Sequence, residues 1–188
     1  SSALEQYNLH NDKPILAICP GAEFGASKRW PSKYYAEIVL SMIKTGWQAW
    51  LFGSEKDTLI GADIINTIPH QYQQSCRNLA GETTLSDAVD LLSLASAVVT
   101  NDSGLMHIAA ALSRPLVAIY GSSTATHTPP MSSNNKILSL GLECSPCFKK
   151  DCPLKHHNCM EQLYPQRVMQ ALQQLRVQET DIVSMGTP

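Results

Sequence analysis

The chain has 188 residues, 44% hydrophobic and 16% charged, with a formal net charge of −2 and a pI near 6.3. This suits one folded domain of ordinary size, and it excludes a disordered chain and argues against an electrostatic nucleic-acid binder. No apolar run approaches the roughly 20 residues that span a bilayer, and Ser1 to Glu5 form neither the basic nor the apolar part of a signal peptide.

Apolar β-rich runs alternate with helix-like stretches along the chain. Ile15 to Cys19 reads as a first strand ended by Pro20-Gly21. A helix is expected from Pro31, because proline suits the first helical turn. Tyr34, Ile38 and Met42 recur at four-residue spacing, and Gly46 supplies a stop. Trp47 to Phe52 is a second strand, followed by a helix from Gly53-Ser54 towards Ile68, which Pro69 must break. Arg77 to Ala80 forms a short third strand. Thr84 to Ala95 reads as a helix with Leu85, Val89 and Leu92 on one face. Ala97 to Thr100 is a compact buried strand, and a helix follows Asn101-Asp102-Ser103-Gly104 as far as Leu112. Leu116 to Tyr120 is the strongest strand signal, and Ser122 to Asn135 reads as a polar surface loop. Lys136 to Leu140 adds a strand, and Gln166 to Arg176 closes the chain as a helix.

Near-continuous apolar strands alternating with helices imply a parallel sheet covered on both faces. The expected fold is a doubly wound, Rossmann-like α/β domain over residues 1–188. Its sheet core lies in 14–140, a Cys-rich loop in 141–164 and a terminal helix in 165–177.

In such sheets ligands bind beyond the carboxyl ends of the strands. Four segments should lie there: Pro20 to Arg29, Phe52 to Asp57, Thr100 to His107 and Gly121 to Thr128. Asp102 or Ser103 can cap a helix whose free N–H groups form an anion site, with Gly104 allowing close approach. Ser103 and His107 share one helical face. Gly21, Gly25, Ser27, Lys28 and Arg29 combine backbone donors with positive charge, as a phosphate requires. Glu55 follows the second strand, where a carboxylate can accept ribose hydroxyls or complement a helix N-terminus. There is no Walker A or G-x-G-x-x-G pattern. Asp102, Ser103 and His107 offer hydrolase residue types, but without a G-x-S-x-G elbow.

Six strings in order resemble the ADP-heptose:lipopolysaccharide heptosyltransferases of glycosyltransferase family 9, which have the GT-B architecture. They are Cys19-Pro20-Gly21-Ala22-Glu23-Phe24-Gly25, Lys28-Arg29-Trp30-Pro31, Leu51-Phe52-Gly53-Ser54 and Arg77-Asn78-Leu79-Ala80-Gly81-Glu82-Thr83, followed by Thr100 to His107 and Arg114-Pro115-Leu116-Val117-Ala118. They cover roughly residues 15–125, and Glu23-Phe24 favours the II branch. The resemblance implies the C-terminal, donor-binding half of an inverting enzyme that adds heptose to the lipopolysaccharide inner core. It places Lys28 on the donor phosphates and Glu55 near the ribose. It also places Asp102, Ser103, Gly104 and Leu105 round the diphosphate and sugar, with His107 after them. Glu23 and Phe24 complete the implied donor contacts.

No cofactor is required by the implied transfer. The implied partners are the ADP-heptose donor and a lipopolysaccharide-core acceptor reached through an N-terminal domain. That domain carries the general base, so this chain alone should bind donor without transferring sugar. The implied location is the cytoplasm, peripheral at the inner membrane. The alternatives are a stand-alone nucleotide-binding module, or half of another sugar-nucleotide glycosyltransferase.

Cys144-x2-Cys147-x4-Cys152-x6-Cys159, with His156 and His157 between, lies beyond the matching strings. Four thiols in one segment could hold a structural zinc ion, or stand as reduced thiols in a loop. The spacing fits neither ferredoxin pattern. Cys19 and Cys76, lying singly in apolar surroundings, read as buried reduced thiols.

Overall fold

A computed structural model describes the backbone of residues 2–185 and the side chains of residues 2–176. The expected 1–188 domain range therefore extends at both ends beyond the described residues. Six parallel strands form one sheet in the order β3-β2-β1-β4-β5-β6. They are β1 (Ile15–Cys19), β2 (Gln48–Leu51), β3 (Cys76–Asn78), β4 (Ala97–Asn101), β5 (Leu116–Ile119) and β6 (Asn135–Leu138). The expected α/β fold class is the observed one. β1, β4 and β5 are buried at every position, as strands covered on both faces must be. The edge strands β3 and β6 contain no fully buried residue, and their polar side chains suit an edge.

Side chains alternate between two cores. Leu16 and Ile18 of β1 join the face covered by α2 (Ser32–Ile43), α3 (Thr58–Thr67) and α8 (Pro165–Met185). Ile15, Ala17 and Cys19 join the other, covered by α1 (Ser2–Gln6), α5 (Leu85–Leu92) and α6 (Gly104–Ala111). α1 is an addition to the expected elements; Tyr7, just beyond it, donates to Asp87 of α5 at 2.8 Å. α4 (His70–Gln73) and α7 (Asn158–Glu161) are also additions. Both are single turns, too short for helical periodicity to register.

Two expectations need correction. Leu85 was expected on the inner face of α5, yet it is 69% exposed and Ala88, Leu91 and Leu92 are the buried set. Thr84 caps this helix through a capping box with Asp87, and that start rotates Leu85 outward. The segment from Ser122 was expected on the surface, yet Ser122 and Ser123 are buried. Their hydroxyls reach Ser27 and Asp102 respectively, which makes that burial tolerable.

Candidate functional site

The strand order reverses between β1 and β4, with successive strands running to either side. At such a switch point the loops leave in opposite directions and open a crevice. A cavity of about 480 Å³ lies there, within the range of small-molecule sites. The loop after β1 contributes Gly21, Ala22 and Glu23, and the loop after β2 contributes Gly53, Ser54 and Asp57. The start of α5 adds Thr83, Thr84 and Leu85, and the start of α6 adds Ser103, Gly104 and Leu105. One wall is therefore apolar, built on Leu85, Leu105, Ala88 and Ile108. The rest of the lining is Cys19, loop backbone, hydroxyls and the carboxylates of Glu23 and Asp57.

Ser103 has the extended conformation of a helix cap, and its Oγ accepts from the Met106 N–H at 3.4 Å. The remaining first-turn amides of α6 have no helical partners, so the helix presents donors and a positive dipole end to the cavity. Thr100 Oγ1 lies 3.3 Å from Ser103 Oγ, and His107 is exposed outside the cavity lining. The hydrolase arrangement is therefore not assembled.

Lys28 follows from a three-residue 3₁₀ turn (Ala26–Lys28), and its Nζ lies 2.6 Å from Asp102 Oδ2. The two side chains are only 15% and 5% exposed. Ser123 Oγ donates to the same Asp102 oxygen at 2.6 Å, and Thr128 Oγ1 donates to Oδ1 at 3.2 Å. Lys28 also stands 5.0 Å from the centroid of the exposed Phe24 ring. Lys28, Phe24 and Asp102 form a cluster beside the cavity and do not line it. Arg29 brings a second cation, and its buried Nε has no partner among the described residues.

Glu55 is exposed on a 3₁₀ turn (Glu55–Asp57) and does not line the cavity; Asp57, two residues on, does. The cause is a capping box. Asp57 Oδ2 accepts from the Ser54 N–H at 2.9 Å and from Ser54 Oγ at 2.8 Å, which draws the carboxylate inward. A methyl group at Gly21 would come within 2.4 Å of this carboxylate, so glycine is what lets the two loops close on each other. The S-x-x-D pattern at Ser54 was the available signal for Asp57. Across the mouth Glu23 Oε1 meets Lys56 Nζ at 2.6 Å. That partner holds the Glu23 carboxyl below its ordinary range and lifts the Lys56 ammonium.

Asn101 ties these parts together from within. It is 0% exposed. Its Oδ1 accepts from Trp30 N at 3.1 Å and from Tyr35 Oη at 2.9 Å, while Nδ2 donates to Pro20 O at 2.6 Å and to Gly21 O at 3.4 Å. Of the nine residues expected at the site, the structure brings Glu23, Ser103, Gly104 and Leu105 into the lining. It sets Phe24, Lys28 and Asp102 alongside and leaves Glu55 and His107 outside. Lining residues outside the four expected segments are Cys19, Thr83, Thr84, Leu85, Ala88 and Ile108, and Asp57 lies within one of those segments without having been singled out.

The sequence model of glycosyltransferase family 9 (heptosyltransferase) matches residues 1–158. The chain belongs to this family. It is similar to lipopolysaccharide heptosyltransferase 2 of Escherichia coli K12, 45% identical over 179 residues that make up 95% of this chain and 51% of the relative. The structure of the E. coli ADP-heptose heptosyltransferase II superposes with a TM-score of 0.86 at 43% identity, covering 95% of this chain and 51% of that one. An E. coli heptosyltransferase with ADP-2-deoxy-2-fluoro heptose shares the fold, with a TM-score of 0.65 at 22% identity over 89% of this chain and 45% of that one. The family 9 chain thus spans about half the length of the relatives it matches. Among its described residues no helix is long and apolar enough to cross a membrane.

Proposed function

We propose that this chain is the ADP-heptose-binding half of an inverting heptosyltransferase that builds the lipopolysaccharide inner core. The carrying observation is the cavity at the sheet's switch point, apolar on the α5 side and facing the N-terminus of α6. An apolar slot beside Leu85 and Leu105 suits an adenine ring. The α6 amides suit the diphosphate, and Asp57, rather than Glu55, stands where a ribose hydroxyl can donate. A distant relative carrying an ADP-sugar analogue supports the same ligand class.

Departure of ADP adds negative charge to the phosphates, and donors aimed at developing charge are typically worth about 3 kcal/mol each. Lys28 is already paired with Asp102, so it first cancels that carboxylate and then presents its remaining protons to the ligand. The α6 N-terminus and Arg29 supply the rest. The cavity carboxylates are already engaged, Glu23 by Lys56 and Asp57 by Ser54. Neither is a free general base, which fits a base supplied from the half that the chain does not span. Donor binding without transfer is the expected behaviour of the 188 residues alone. We assign the complete enzyme to the cytoplasm, peripheral to the inner membrane that carries its acceptor.

Calorimetric titration with ADP, UDP and GDP tests the donor class. ADP should bind best by tenfold or more. A preference for UDP would instead mark half of another sugar-nucleotide transferase, and no binding to any of the three would refute the nucleotide site. In the full-length protein Lys28→Ala should lower turnover strongly. Near-normal transfer rates would remove Lys28 from the leaving-group role.

A further inference from the structure

Residues 141–159 contain no buried side chain. Of its large apolar residues, Phe148 and Leu154 are exposed and Leu142 is half-buried. A stretch of this length, irregular as far as His157 and without a core of its own, needs some other tie to hold one conformation. It is nevertheless shaped in detail, for Phe148, Lys155 and His157 all take left-handed backbone conformations, with φ of 54°, 59° and 48°. Non-glycine residues persist there only where their surroundings impose it. It is also docked onto the turn that carries Lys28. Ser27 N donates to Lys150 O at 3.0 Å, Ser27 Oγ donates to Lys149 O and lies 3.0 Å from Ser122 Oγ, and Phe148 N donates to Ser122 O at 2.7 Å. Gly25 fits against this lobe so closely that a methyl group would come within 2.5 Å of Lys150 O.

What the lobe does share is sulfur. Cys144, Cys147, Cys152 and Cys159 all line one small cavity together with His156 and His157. Its volume is about 20 Å³, room for roughly one water-sized occupant. All four cysteines are free thiols. The sulfurs ring the cavity without meeting at one point, and no three His, Cys, Asp or Glu side chains among the described residues yet stand at metal-ligand spacing.

We propose that these four thiols are the ligands of one structural zinc ion, which draws the ring shut and pins residues 141–159 against the Lys28 turn. A closed four-thiolate set is what a structural, non-catalytic zinc site requires. Binding would release the thiol protons and supply the ordering energy that the lobe's missing core does not. The cation site stands independently of the donor reading; only its effect on ADP rests on it.

The test uses full-length protein purified in reducing, chelator-free buffer. Plasma mass spectrometry should find about one zinc per chain. Cys152→Ser and Cys159→Ser should fall below a tenth of an equivalent, while Cys76→Ser, which alters a thiol outside the lobe, keeps its metal. Should the serine variants fail to fold, the unaltered protein gives the same answer. Chelation should release zinc stoichiometrically, expose four thiols to a colorimetric reagent, and weaken ADP binding at least threefold. Less than a tenth of an equivalent of zinc after reconstitution with zinc chloride would overturn the site. So would a mass deficit of disulfide bonds in freshly reduced protein. ADP affinity unchanged on zinc removal would overturn the pinning of the Lys28 turn.

Discussion

Asn101 shows how much of the site is decided by one side chain. Its carboxamide accepts on one side from Trp30 and Tyr35 and donates on the other to Pro20 and Gly21, all without water. Asn101→Asp keeps the shape but turns an oxygen towards two carbonyls. The expected cost is roughly 3 kcal/mol, the penalty for an unpaired buried charge. Denaturant midpoints measure it, and a loss below about 0.5 kcal/mol, the level of an ordinary surface change, would mean that another group holds the loop. Cys19 offers a second residue-scale test. Burial, and then the charge of Asp57, push its thiol from 9.0 to about 12. Between those values the unfolded chain has released the proton and the folded chain retains it. Stability should therefore fall as pH rises from 9 to 12, by up to about 1.4 kcal/mol per unit from this group. Cys19→Ala should flatten that slope; an unchanged alkaline profile would assign it elsewhere. Cys76, raised to about 11, adds a smaller effect of the same sign.

At the scale of elements, α6 is a helix whose start opens onto the cavity. Gly104 lines the cavity, yet a methyl group added there meets nothing within 4 Å. Gly104→Ala should thus leave the fold intact and stabilise the helix by up to about 0.5–1 kcal/mol from propensity. The same methyl group would occupy space that the donor needs, so ADP affinity should drop at least tenfold. Stability and affinity moving in opposite directions is the signature; equal affinity would place the diphosphate away from this helix. The α5 start was harder to foresee. Leu85 fits an inward-facing helical pattern, and only the capping box of Thr84 with Asp87 turns it towards the cavity. The Ser54–Asp57 box similarly turns Asp57 into the cavity and leaves Glu55 exposed. Local sequence contains both boxes, but which face they turn inward depends on where the neighbouring loops lie.

For the whole molecule, the chain spans about half of its relatives, and its engaged cavity carboxylates predict separable functions. The 188 residues alone should bind ADP and show no heptose transfer; the full-length protein should do both. Transfer by the isolated chain would mean that the base lies within it. The parallel sheet needed for this reading was legible in the sequence; the strand order was not. Apolar runs such as Ile15 to Cys19 and Ala97 to Val99 suit strands buried on both faces, and helices between them imply parallel pairing. The loops at the carboxyl ends of the strands follow from that topology, which is why Glu23, Ser103, Gly104 and Leu105 could be expected at the crevice they line.

By itself the sequence determined the parallel sheet, the family and the loops that gather at the crevice, because these depend on periodicity, turn residues and ordered strings. Only the tertiary structure decided which side chains enter the cavity. Asp57 replaced Glu55, Leu85 turned outward, and Lys28 was found paired with Asp102 rather than free. The Cys-rich segment, too, gained its meaning only when seen docked behind Lys28. Contacts across 74 or more positions of chain, such as Lys28 with Asp102, carry no local signature, for they exist only once the sheet brings the two loops together.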